Sequence, residues 1–163
     1  MFLERKKTKN RSLIESFRHA SEGIAEALQS EKNLRIHFIV GMVVIVLSLF
    51  LDIPREEGLW LIFAVFSVIG AELINTLVEG FTDLYSTEKN PMIKFVKDVA
   101  AGIVLWYTLF SVVVGVIVLG KAIFGWHELA GKILAIVVLV IFPCTIVWEA
   151  VNRNGRSNKG DDS

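Results

Sequence analysis

Residues 59–83 read LWLIFAVFSVIGAELINTLVEGFTD, and this stretch decides the fold. Its first half, Leu59–Gly70, is a continuous apolar run with no ionisable group. Its second half stays apolar but carries Glu72, Asn75, Glu79 and Asp83. At about 100° per helical residue these four fall within an arc of roughly 80° and form one stripe about 16 Å long. The length is that of a membrane-spanning helix, which needs about 20 apolar residues. A carboxylate inside a bilayer costs at least about 2.5–3.5 kcal/mol unless paired or metal-bound. A stripe of acids on one face of a spanning helix therefore reads as a functional site.

The rest of the chain fits a membrane protein. Of 163 residues, 53% are hydrophobic and 21% charged, and the mean hydropathy is +0.57. Apolar blocks also occur at Ile36–Leu51, Val99–Gly120 and Ile133–Trp148. The reading is an all-α integral membrane protein with spans at about 36–53, 59–81 and 99–120, and a fourth segment within 125–151. Ahead of the spans, Leu13, Phe17, Ala20, Ile24 and Leu28 recur at helical spacing, which predicts an amphipathic surface helix over residues 12–30 lying in the membrane interface. Ser12, with Glu15 three residues on, has the capping-box pattern for its start. Residues 1–11 form a basic cytoplasmic segment, too polar for a signal peptide, and residues 152–163 a polar tail expected to be disordered.

Charge sets the orientation. With both termini in the cytoplasm, the inside segments hold 14 Lys and Arg and the outside segments 3. Trp60, Trp126 and Trp148 sit at block ends, where an aromatic belt would place them. The formal net charge is zero, with 17 basic against 17 acidic residues, so no global charge favours nucleic acid. One cysteine and three histidines exclude a disulfide scaffold and argue against a Cys/His zinc site. Cys144 reads as packing in the last span.

No Lys or Arg lies within the other three apolar blocks, so structural ion pairing of the stripe inside the membrane is poorly supported. A divalent cation is a natural partner, since Mg²⁺ prefers carboxylate and phosphate oxygens. Glu31, Lys97 and Asp98 bring two acids and a cation to the cytoplasmic mouth of the stripe, whereas Lys32 and Lys94 read as ordinary snorkelling residues. The run Gly115–Ala122 nearly matches a P-loop. It lacks the Ser or Thr that would hold Mg²⁺, and it lies in an apolar span rather than after a soluble strand. A nucleotide site here must be of another kind.

The run Glu72-Leu-Ile-Asn75-Thr-Leu-Val-Glu79-Gly-Phe-Thr-Asp83 resembles the signature helix of the small bacterial integral-membrane diacylglycerol kinase family. Phe17-Arg-His-Ala20-Ser-Glu-Gly23, Glu31-Lys-Asn33-Leu-Arg35-Ile-His37 and Lys97-Asp98-Val-Ala100-Ala101-Gly102 resemble three more of its motifs, in register over about residues 12–120. The Asn33/Arg35/His37 version is similar to the Gram-positive branch, whose members act as undecaprenol kinases. The resemblance implies a homotrimeric helical-bundle lipid kinase in the bacterial plasma membrane, using ATP and Mg²⁺ on a membrane lipid, with no nucleic-acid partner. It implies Glu72 as the catalytic base, Glu31 and Glu79 as metal ligands, and Glu31, Glu79, Lys97 and Asp98 as ATP contacts. Asn75, Asp83, Asn33 and Arg35 would be supporting polar residues. Glu88, Lys89 and Asn90 fall where the family touches the nucleotide.

A membrane lipid presents its hydroxyl at the interface, where ATP can reach it from the cytoplasm, and a carboxylate in the inner third of a span meets it there. Undecaprenol is the expected acceptor and diacylglycerol the alternative. A reading from another class is a small proton-coupled transporter, because intramembrane acids suit proton relays. The acids gather toward one leaflet, however, and do not continue across Leu59–Gly70. An interaction protein without chemistry would leave the stripe unexplained. The family ends near Phe124, so a segment at 133–148 would be an addition, packing outside the trimer or covering it toward lipid.

Overall fold

A computed structural model of the chain describes residues 13–85, 90–126 and 128–157. The basic segment 1–11, Ser12, Glu88, Lys89 and the end of the tail at 158–163 lie outside the described residues. Five helices follow in order: α1 Leu13–Ser30, α2 Lys32–Ser48, α3 Arg55–Tyr85, α4 Pro91–Phe124 and α5 Glu128–Ser157.

Each boundary has a local cause. α1 and α2 are parted at Glu31, whose backbone is extended (φ −100°, ψ 117°). Arg35 closes the end of α1: its Nη1 donates to Leu28 O at 3.0 Å and Gln29 O at 2.7 Å, which places a cation on the negative end of the helix dipole. α2 stops at Ser48, short of the expected 36–53, where Leu49 N and Phe50 N donate three residues back to Val46 O at 3.2 Å and Leu47 O at 3.1 Å, and Pro54 suits the start of α3. Asn90 caps α4, its Oδ1 accepting from Met92 N at 2.9 Å with Pro91 in the first turn. α4 ends at Gly125, whose φ of 62° is the left-handed conformation a C-terminal cap requires.

α3 is the central helix. It packs most extensively on α4 and also on α2, while α5 packs on α4 and α1 meets α2 and α3. The buried residues come mainly from α3: Leu61, Ala64, Val65, Val68, Ala71, Glu72 and Thr82. Across the α3–α4 seam, Ser111 Oγ donates to Ala64 O at 2.8 Å, and Phe63 meets Phe110 edge to face. At the end remote from the acidic stripe, Lys121 pairs with Glu57.

Three stretches are long and apolar enough to cross a membrane: Arg55–Leu84, Pro91–Phe124 and Gly131–Glu149. α2, with 17 residues, extends only about 26 Å and falls short of a hydrocarbon core of roughly 30 Å. α3 and α4 instead exceed the core, at about 46 and 51 Å, so their ends must project into the interface. Large apolar side chains such as Phe66, Phe95, Leu129 and Trp148 are exposed on the isolated chain, which fits lipid-facing walls. α1 buries no residue and leaves Leu13, Ile14 and Phe17 exposed.

Two expectations are revised. The tail expected to be disordered from Asn152 is helical in α5 as far as Ser157. Cys144, read as packing in the last span, is exposed on α5 of the isolated chain.

Gly41 fixes the closest approach of α2 to α3. A Cβ there would lie 2.5 Å from Val65 Cγ1, and a β-branched side chain has little freedom to yield. Gly41→Ala is expected to cost about 1–3 kcal/mol by overpacking. Gly131→Ala, whose Cβ would sit 3.5 Å from Ile117, should be nearly neutral. Thermal transitions of the two variants in one detergent check the contrast, and equal transitions would mean that α2 does not pack on α3 at Gly41.

Candidate functional site

The stripe sits on α3 with a steep gradient of burial. Glu72 is 3% exposed, Asn75 and Glu79 are half-buried, and Asp83 is exposed at the helix end. Helical spacing makes neighbours of residues four apart, and Asn75 Nδ2 donates to Glu79 Oε1 at 2.8 Å. That bond orients the Glu79 carboxylate. Asn75 Oδ1 is buried with no hydrogen-bond partner.

Other elements bring charge to this end of α3. Glu31, at the α1–α2 break, has an extended backbone, and its side chain makes no cap bond to α2. Glu31 and Glu79 are near enough to Glu72 for their charges to act on it. Lys97 on α4 pairs with Asp83 at 2.5 Å and so ties α4 to the mouth of the stripe. The three carboxylates, Asn75, Asp83 and Lys97 are therefore gathered at one end of the bundle. Asn33 and Asp98 are exposed near that end. Arg35 and Asn90 have identifiable structural work as caps.

Sequence reasoning missed one contact. The partner of Glu72 within the bundle is His37 of α2, whose Nε2 lies 3.3 Å from Glu72 Oε1. The signal available was only that His37 is the titratable residue of an otherwise uncharged block. His37 also lines a groove of about 360 Å³ walled by α2, α3 and α4 through residues such as Val40, Val65, Thr108 and Val112. Among the described residues, His37 is the only titratable one lining it. A cavity of similar size, about 390 Å³, lies at the other end of α3 around Glu57, Trp60, Lys121 and Trp126, remote from the acidic stripe. The run Gly115–Ala122 is plain helix within α4, with no phosphate-binding loop.

Among the described residues, no three His, Cys, Asp or Glu side chains are placed to hold a metal ion by themselves. Mg²⁺ seldom asks for that. It is usually bound by one or two carboxylates with substrate phosphates and water completing the shell. Two carboxylates at the mouth, Glu31 and Glu79, are a donor set of that kind.

Comparison with known proteins matches the chain to prokaryotic diacylglycerol kinase over residues 18–119, well over half its length. An undecaprenol kinase of Bacillus subtilis is 28% identical over 105 residues, covering 64% of this chain and 85% of the relative. A diacylglycerol kinase of Synechocystis is 33% identical over 105 residues, 64% of this chain but 60% of that relative's length. A diacylglycerol kinase of Haemophilus influenzae is 29% identical over 86 residues, 53% of this chain and 73% of the relative. The matched stretch 18–119 contains the stripe, Glu31, His37 and Lys97, and ends before α5.

Proposed function

The chain belongs to the prokaryotic diacylglycerol kinase family and is a membrane lipid kinase that uses ATP, and from that premise we propose that it phosphorylates undecaprenol, with Glu72 as the base. The observation that carries the reading is the buried Glu72 carboxylate beside His37, which lines an apolar groove, with further acids and Lys97 toward the helix ends. The lipid hydroxyl gives its proton to Glu72. The lipid oxygen forms a bond to the γ-phosphorus of ATP, the bond from that phosphorus to the β,γ-bridging oxygen breaks, and ADP leaves. Such a transfer depends on positioning and charge neutralisation more than on covalent help.

Glu31 and Glu79 would hold Mg²⁺ together with ATP oxygens, and the metal would supply charge neutralisation on the phosphates. Lys97, held by Asp83, would face the phosphates, with Asp98 as a further nucleotide contact and Asn75, Asn33 and Arg35 in support. Glu88, Lys89 and Asn90 would flank the nucleotide. Exposed Leu13, Ile14 and Phe17 suit α1 to lie in the interface. The distribution of Lys and Arg supports both termini in the cytoplasm, in the plasma membrane of a bacterium, a reading that makes α2 a fourth crossing completed by the apolar residues after Ser48. The homotrimer, with residues 12–124 as kinase domain, is carried over from the resemblance.

Undecaprenol is preferred because the Bacillus subtilis relative is covered over 85% of its length and shares its family branch with the Asn33/Arg35/His37 pattern. Side-by-side assays with undecaprenol and diacylglycerol in mixed micelles should give kcat/KM at least about tenfold higher for undecaprenol, the effect of about 1.4 kcal/mol. A preference for diacylglycerol would reverse the substrate assignment. Removing residues 125–163 should leave turnover within about threefold of the full chain, since α5 brings none of the stripe's partners. Complete loss in a folded truncation would mean that α5 completes the site.

A further inference from the structure

We propose that His37 is a positioning residue for Glu72: its Nε2–H holds one carboxylate oxygen so that the other is turned toward the lipid hydroxyl. The inference rests on the reading of Glu72 as base. His37 stands on α2 and Glu72 on α3, with Nε2 and Oε1 3.3 Å apart. That oxygen is buried and has no aligned hydrogen bond. A buried carboxylate oxygen left in that state carries a penalty. Contacts of this kind in a site without substrate are often long and tighten in the reacting complex.

The surroundings leave His37 little competition as the donor. Glu31 and Glu79, whose charges reach Glu72, are themselves carboxylates and cannot donate when ionised. Lys97 is engaged by Asp83. A neutral imidazole offers one N–H, and given to Oε1 it fixes the rotation of the carboxylate. Oε2 is left to take the hydroxyl proton as the oxygen–phosphorus bond forms, and His37 neither gains nor loses a proton over the cycle. Because His37 also lines the groove, the residue that sets the carboxylate touches the path beside it, 23% exposed against 3% for Glu72.

The test compares His37→Leu, similar in bulk but without a donor, with His37→Gln, which keeps an N–H within reach. The full chain is assayed in mixed micelles with Mg-ATP and undecaprenol, and each variant's thermal transition is taken in the same detergent. His37→Ala replaces the leucine variant if that one does not assemble. The expected result is a kcat at least about tenfold lower for His37→Leu, with KM for ATP and lipid within about twofold, and recovery of at least roughly a third of wild-type kcat in His37→Gln. In a Glu72→Gln background, His37→Leu should slow the enzyme no further. Wild-type kcat in His37→Leu, equal losses in both variants, or a change confined to the lipid KM would overturn the proposal. If Glu72→Gln alone keeps its turnover, the base assignment itself fails, and that outcome is separate from any result at position 37.

Discussion

Glu72→Gln is expected to lower turnover by about 10³-fold or more while Mg-ATP affinity stays close to wild type. The substitution keeps the size of the side chain and its contact with His37 but removes the proton acceptor. Glu72 is 3% exposed, so water has poor access to take over the proton from the acceptor hydroxyl. The nucleotide should be unaffected because it approaches the open end of the stripe, at Glu79, Asp83 and Lys97, rather than its buried end. Steady-state kinetics and equilibrium nucleotide binding separate the two effects. Retained turnover would remove Glu72 as base, and lost binding with intact kcat would move it to the nucleotide site.

The second large effect is expected at the mouth. Glu31→Gln and Glu79→Gln should each weaken Mg-ATP by about 2 kcal/mol or more, at least roughly 30-fold, since each removes a carboxylate from a charged metal–phosphate cluster. The two sites differ in support. Glu79 is oriented by Asn75, so Asn75→Ala should show a smaller loss of the same kind. Glu31 relies on the α1–α2 break, which Arg35 holds by closing the end of α1, so Arg35→Ala should reproduce part of the Glu31 phenotype. Nucleotide titration with and without Mg²⁺ reads this directly. Unchanged affinity in both glutamine variants would break the metal assignment.

The stripe was legible because its period is intrinsic to one helix: residues at 72, 75, 79 and 83 share a face whatever packs against them. Their order of burial was not legible, because it depends on where α2 and α4 cover α3. The sequence offered no cation inside the neighbouring blocks, and the side chain that meets Glu72 lies on another helix. His37 approaches Glu72 only because Gly41 lets α2 come close to Val65. No periodicity within either block encodes that contact. Arg35 was legible as a polar position of a motif, but its bonds to Leu28 O and Gln29 O depend on the helix break at Glu31. Lengths were read less well than faces. α2 stopped early at Ser48, with a turn at Leu49–Phe50, and α5 ran on through polar residues where apolar periodicity had ended.

Assigning these roles makes direct transfer between ATP and lipid the central claim, and the fate of the γ-phosphate tests it most directly. The full chain in mixed micelles is given ATP labelled at the γ-phosphate, Mg²⁺ and undecaprenol, and label is followed in the lipid phase, in inorganic phosphate and on the protein. The account predicts label in the lipid phase in one-to-one proportion with ADP, abolished in Glu72→Gln and on removal of Mg²⁺. ADP formed with label only in inorganic phosphate, or label held on the protein, would contradict it.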